Sequence, residues 1–175
     1  MLDQLQLRRL IIQPVVKGLS LYSENIENLL VGTCAQETRG GSYLLQEFKK
    51  DEDPQQILKT KLCALSIYGM EYKTHDDIWK TFLPSKPKIT NDLMQICTFS
   101  KKPTAEMMIY NLFYATAMAR IFYLRIQETV PATLELQADY YKTYWNTSLG
   151  KATQAEYILS YNSFMGIRAP KGEKK

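Results

Sequence analysis

Residues 24–41 read ENIENLLVGTCAQETRGG. Ile26, Leu29, Leu30 and Thr33 recur at intervals of three and four, which places them on one face of a helix. Ser23 has a hydroxyl suited to cap that helix, and Glu24 falls in the first turn, where unpaired backbone N–H groups favour a carboxylate. The pattern predicts a helix closing near Glu37, with Gly40 and Gly41 supplying the left-handed exit that other residues resist. A buried helix that delivers one acid to its last turn and then breaks has two readings. One is a solvated helix C-terminus; the other is a carboxylic acid held at the wall of a cleft.

Upstream, Leu2, Leu5, Leu7, Leu10 and Ile11 predict a helix over 2–13 that Pro14 ends. Downstream, residues 47–61, EFKKDEDPQQILKTK, are charged and contain a proline, which predicts an exposed loop. Residues 62–72, LCALSIYGMEY, are short, apolar and β-prone, and read as a strand or small hairpin. Thr74 reads as the N-cap of the next helix, with Asp76 and Asp77 in its first turn and Ile78, Trp79 and Phe82 on its buried side. Pro84 and Pro87 set that helix apart from another over 89–97. Pro103 and Thr104 open the longest run, about 104–126, apolar on most faces and hence the expected central helix. Pro131 is expected in the first turn of the helix that follows. Thr153 and Glu156 form a capping box for a helix over 154–165, which Gly166 stops. The expected fold is mainly α, one helical domain over 1–168 with a small β-hairpin insertion and a flexible basic tail over 169–175.

Composition narrows the classes. The 175 residues, 45% apolar and 23% charged, suit one domain with an ordinary core. Of the net charge of +4, Lys171, Lys174 and Lys175 supply three, and no basic stripe elsewhere points to nucleic acid. Cys34, Cys63 and Cys97 are odd in number and widely spaced, the pattern of buried free thiols in a reducing compartment. His75 is the single histidine and no CxxC occurs, so neither a metal nor a cofactor is expected. No leader pattern and no run near the roughly 20 apolar residues of a membrane span is read, so synthesis in the cytoplasm without membrane insertion is expected.

The order of these features resembles the lysozyme-like superfamily, in particular lytic transglycosylases and goose-type lysozymes. Those proteins end a helix on a catalytic Glu, pass through a Gly-Leu-Met-Gln segment in a small β region, start a helix at Pro-x-Thr, and carry a Tyr-Asn-x-Gly-like segment nearer the C-terminus. Glu37-Thr38, Ser66 to Gly69, Tyr72 to Thr74, and Tyr144 with Asn146 stand in that order here. The chain is also similar to phage-encoded proteins with AQES, ALGIFQMEP-THDDIW and YNTPLGKGT patterns. Ala35 to Glu37, Ala64-Leu65, Met70-Glu71, Thr74 to Trp79 and Asn146 to Lys151 match these, and the likeness spans about residues 25–160.

The resemblance implies Glu37 as general acid and Ser66, Tyr68, Gly69, Glu71, Tyr144 and Asn146 as substrate-binding positions. It also implies a peptidoglycan glycan strand and other virion proteins as partners, with synthesis in a host cytoplasm and incorporation, in multiple copies, into a phage particle. Ser66 in place of Gly, Gly69 in place of Gln and Tyr72 in place of Pro depart from the pattern. They keep open an alternative: a structural tail, neck or baseplate component without catalysis.

The residue types suit glycan cleavage. The reaction needs a carboxylic acid still protonated near neutral pH, and apolar surroundings raise a Glu into that range. Tyr43, Tyr68 and Tyr110 are candidates to stack on sugar faces, and Glu71 or Asp76 is the candidate second carboxylate if the glycan's own acetamido group does not assist. Arg120, on the long helix, is a candidate partner for Glu37, which would lower its pKa and oppose acid catalysis. His75 reads as structural, and Trp79 and Trp145 as core anchors.

Overall fold

Glu24–Thr38 forms the helix that the sequence predicts, with the Ser23 hydroxyl accepting from the Ile26 N–H at 3.2 Å. The left-handed exit begins one residue before the glycines: Arg39 has φ 51°, and Gly40 and Gly41 follow at 67° and 76°. The Arg39 and Gly40 N–H groups both return to the Cys34 carbonyl, which closes the helix end. In this computed structural model, which describes residues 1–45, 51–148 and 150–167, the Glu24–Thr38 helix lies against Gln154–Phe164. That last helix carries the expected capping box between Thr153 and Glu156 and is followed by Gly166 at φ 70°.

Gly32 makes the close approach of these two helices possible. A Cβ at this position would stand 1.9 Å from the Tyr157 hydroxyl oxygen. Tyr157 is fully enclosed, and its hydroxyl donates to the Leu29 carbonyl at 3.3 Å. Two effects compete in Gly32→Ala: a helix-interior gain of about 0.5–1 kcal/mol from replacing glycine, and an overpacking cost of about 1–3 kcal/mol. The enclosed hydroxyl would have to leave the Leu29 carbonyl to make room, so overpacking is expected to win. Gly32→Ala is expected to lower the melting temperature by several degrees, at roughly 2–4 °C per kcal/mol for a chain of this size, as read by calorimetry.

The remaining helices depart from expectation at their ends. The first spans residues 4–18 without interruption, passing through i→i+5 hydrogen bonding over Leu7–Ile12 before resuming as Gln13–Gly18. Pro14 therefore does not end it; the i→i+5 bonding just before it accommodates the N–H that proline lacks. Part of the expected loop 47–61 is the helix Pro54–Thr60, with the Asp53 carboxylate accepting from the Gln55 N–H at 2.9 Å; residues 46–50 lie outside the described residues. Another helix begins at Tyr72 and runs to residue 82, so Thr74 lies inside it rather than capping it. Pro87–Ile96 follows close to its expected place.

The long run 104–126 is two helices, Met107–Tyr110 and Leu112–Leu124. Asn111 divides them: its backbone is extended and its side chain accepts from the Tyr114 N–H at 3.0 Å, restarting the helix. The second piece is the expected central helix, with Tyr114 to Ala119, Ile121 and Tyr123 buried. Leu134–Tyr140 is capped by Thr133, not started by Pro131, whose carbonyl instead accepts from the Gln137 amide at 2.9 Å. It continues with i→i+5 bonding over Tyr141–Asn146. The expected tail 169–175 lies outside the described residues.

The β element is a two-stranded antiparallel hairpin, Ala64–Leu65 with Met70–Glu71, in the register Ala64 to Glu71 and Leu65 to Met70. The fold is thus mainly helical with a small hairpin, as the sequence predicts. Cys34, Cys63 and Cys97 are buried free thiols. Among the described residues no helix is long and apolar enough to cross a membrane.

Candidate functional site

The hairpin is fastened to the end of the acid-bearing helix. The Thr38 hydroxyl donates to the Ile67 carbonyl at 2.8 Å and accepts from the Gly41 N–H at 3.0 Å. The Tyr43 hydroxyl donates to the Glu37 carbonyl at 2.7 Å, and the Ser66 N–H donates to the Leu44 carbonyl at 2.7 Å. These bonds hold the last helical turn, the residues after it and the hairpin turn as one unit. Gly69 is thereby brought against the acid: a Cβ there would stand 3.0 Å from Glu37 Oε2, and its φ of 59° also favours glycine.

The other wall comes from the helix of residues 134–146. Tyr141 is buried and donates its hydroxyl to Glu37 Oε1 at 2.5 Å. It stacks on Tyr157, with ring centres 4.8 Å apart, so the contact that Gly32 permits also fixes the donor to Glu37. Trp145 packs on Phe122 at 4.7 Å and acts on the same carboxylate through its indole. The Lys142 ammonium donates to Asn146 Oδ1 and to the Gly150 carbonyl, both at 2.8 Å, which holds the segment after the helix in place.

Between these walls lies a hollow of about 430 Å³, lined by Glu37, Gly69, Glu71, Phe122, Tyr144, Trp145 and Asn146 among others. Five of the positions that the resemblance singles out, Glu37, Gly69, Glu71, Tyr144 and Asn146, therefore meet around one space. Two do not face it. Tyr68 is 1% exposed with its hydroxyl 3.3 Å from Thr116 Oγ1 of the central helix, and Ser66 is 2% exposed. Tyr43 is engaged by the Glu37 backbone, and Tyr110, although exposed, is not among the lining residues.

Electrostatics distinguish Glu37 from the other acids. Withdrawal from water pushes its carboxyl from the ordinary 4.5 up to about 7. Hydrogen bonds from Tyr141 and Trp145 pull the other way, and the charge of Glu71 adds a smaller upward push. The expected pairing with Arg120 does not form: its guanidinium donates to the Leu21 carbonyl at 3.4 Å, and burial lowers it to about 10. Of the candidate second carboxylates, Glu71 faces the hollow and pairs with Lys73 at 2.7 Å, whereas Asp76 is bonded to the His75 ring. Asp77, expected to serve the helix dipole, pairs instead with Arg125 at 2.6 Å. His75 is structural, fully buried and 2.6 Å from the Tyr114 hydroxyl, to which Trp79 also donates.

The phenol of Tyr141 is held far above its ordinary value, by burial first and then by the charge of Glu37, so it stays a donor. Tyr141 donates to Oε1, and Oε2 is the carboxyl oxygen nearest Gly69. Tyr141→Phe removes a bond that favours the ionised acid. The Glu37 titration is expected to move upward from about 7 by roughly one pH unit or more, since a hydrogen bond to a charged group is worth about 1.5–3 kcal/mol. Carbon-detected NMR of the side-chain carboxyl reads this directly.

Reading the sequence missed Tyr141 and took Trp145 as core alone. Tyr141 and Trp145 lie four apart on the helix that ends at Asn146, a pairing that shows only once that helix is placed. Comparison of the chain with protein-family models, curated proteins and solved structures gives no match.

Proposed function

We propose that the chain is a glycan-cleaving protein acting on peptidoglycan, carried in a phage particle and opening the wall locally when the genome enters. The observation that carries this reading is the placing of one carboxylic acid, Glu37, in the lining of a hollow of about 430 Å³, with burial that pushes its carboxyl up to about 7. In the reaction, the Glu37 carboxyl gives its proton to the glycosidic oxygen as the bond from that oxygen to the anomeric carbon breaks. The electron pair of the bond leaves with the departing sugar. The anomeric carbon is then taken by water, or by a group of the glycan itself, with Glu71 the carboxylate placed to assist. The motif order around Glu37, the hairpin and Asn146 supports the same substrate class.

The test is incubation of the protein with purified sacculi, followed by mass spectrometry of the released fragments. New reducing or anhydro sugar ends are expected. Intact strands after incubation with a folded parent protein would overturn catalysis.

Gly69 favours a second reading. Where the resembling proteins carry a glutamine amide, this chain presents bare backbone to the groove. On that reading the domain is a catalytically silent tail, neck or baseplate component that keeps the groove for contacts with other virion proteins. Intact sacculi, together with co-purification of neighbouring virion proteins, would favour it.

A further inference from the structure

Two helix faces away from the groove carry exposed leucines among charges of one sign. The first belongs to the helix of residues 4–18. Residues 4–23 hold Arg8, Arg9 and Lys17 and no acid. Arg8 is part-buried against Glu27 at 3.0 Å, which leaves Arg9 and Lys17 as the exposed cations. With them stand Leu5 and Leu10, 45% and 60% exposed. Side chains five apart on a regular α-helix diverge by roughly 140°. The wider i→i+5 turns over Leu7–Ile12 narrow that angle and bring the two leucines toward one side. The Lys17 ammonium lies over the exposed Tyr22 ring, 5.1 Å from its centre, and extends the face.

The second face is opposite in sign. Residues 126–141 hold Glu128, Glu135 and Asp139 and no cation. Glu135 and Asp139 lie four apart on the helix Leu134–Tyr140 and so share a side, and Leu136 beside them is 53% exposed. Among the described residues, Arg9, Lys17, Glu135 and Asp139 have no ion-pair partner. The helix Gln154–Phe164 packs against both bearing helices, through the Arg8 bond to Tyr161 at 3.1 Å on one side and Leu134–Tyr140 on the other. Single exposed leucines are ordinary. Leucines rimmed by unpaired charge, on two faces of opposite sign, complement each other. An anionic membrane would suit the first face and repel the second, whereas a second copy of the chain satisfies both.

We infer that copies of this chain associate head to tail, the face of Leu5, Arg9, Leu10 and Lys17 on one copy docking on the face of Glu135, Leu136 and Asp139 on the next. Such a contact joins two different surfaces, so it propagates into a ring or an open row rather than ending in a symmetric pair. Each face is one helix wide, which makes the contact small and the association weak, of the kind that forms at high local concentration. None of these residues lines the groove at Glu37, and the inference does not depend on the glycan reading.

Sedimentation equilibrium of the full chain, run across protein concentration and salt, tests it. The average mass is expected to rise with concentration past that of a dimer, and to fall back toward the monomer at high salt. Leu10→Gln and Leu136→Gln, at exposed positions outside the core, are each expected to weaken association about tenfold, the effect of one leucine no longer buried at a contact. An equimolar mixture of the two variants still offers one intact pair of faces. It is expected to associate as tightly as the parent and to stop at dimers. A parent that stays monomeric up to about 1 mM overturns the inference. So does a loss confined to one variant, since that face would then pair with itself, and so does a mixture no tighter than its components.

Discussion

Glu37→Gln is expected to reduce peptidoglycan cleavage by about 10²–10⁴-fold, the usual contribution of a positioned general acid. Glutamine fills the same volume and still accepts from the Tyr141 hydroxyl, so the wall of the groove is kept while the transferable proton is lost. On the proposed reading the parent protein has a second expected signature. With a carboxyl that ionises at about 7, the fraction in the acid form falls above that pH, and activity should fall about tenfold for each pH unit beyond it. Rates for release of soluble fragments from sacculi, taken across pH for both proteins, read both effects. A parent rate that is unchanged by Glu37→Gln removes Glu37 from the chemistry.

The second large effect is on stability. A carboxyl near 4.5 in the unfolded chain and about 7 in the folded one binds its proton more tightly when folded. Below 4.5 the group is neutral in both states and neither favours nor opposes folding. As pH rises through 4.5 and on to about 7, the unfolded chain ionises first, so the folded state loses ground, and above 7 the full penalty is present. The size is at most about 3 kcal/mol, or roughly 6–12 °C for a chain of this length.

Glu37→Gln removes this penalty. Its melting temperature should therefore gain on that of the parent as pH is raised from about 4.5 to about 8, with the whole gain developed in that window. The difference between the two proteins also cancels His75, whose burial lowers its pKa and destabilises the fold in the opposite direction, at low pH. A gap between the two melting curves that stays constant with pH would mean that Glu37 titrates normally.

The parts of the fold that were legible in the sequence are those where local chemistry and tertiary packing agree. Ser23 and the apolar face after it, the hairpin at 64–71, and the Thr153–Glu156 capping box are each stabilised by neighbours in sequence, and each stands where its residues place it. The errors arose where the backbone escaped a local rule. Pro14 and Thr74 look like boundaries, yet each lies in a helix that continues, at Pro14 because i→i+5 bonding precedes it. Asn111 looks like an ordinary helical residue, but its side chain caps a new start within the longest apolar run.

The site was legible in the same measure. Glu37 stands out as the one acid that a buried helix delivers to its last turn before Gly40 and Gly41, whereas Asn146 is singled out only by the resemblance. Tyr141 did not stand out, since among twelve tyrosines nothing local marks the one whose hydroxyl reaches a residue 104 positions away. Ser66 was singled out by the resemblance and Tyr68 as a sugar-stacking candidate too, and only the folded chain shows that both are buried, Tyr68 with its hydroxyl beside Thr116. Long-range contacts of this kind leave no period in the sequence.

The most direct measurement is a carbon-detected NMR titration of the glutamate carboxyls, with the Glu37 signal assigned by its loss in Glu37→Gln. A midpoint near 7 is the expected result, with the acid still substantially protonated at neutral pH. A midpoint near the ordinary 4.5 would show that Glu37 is an ionised surface carboxylate, and would contradict the claim that this groove holds a general acid.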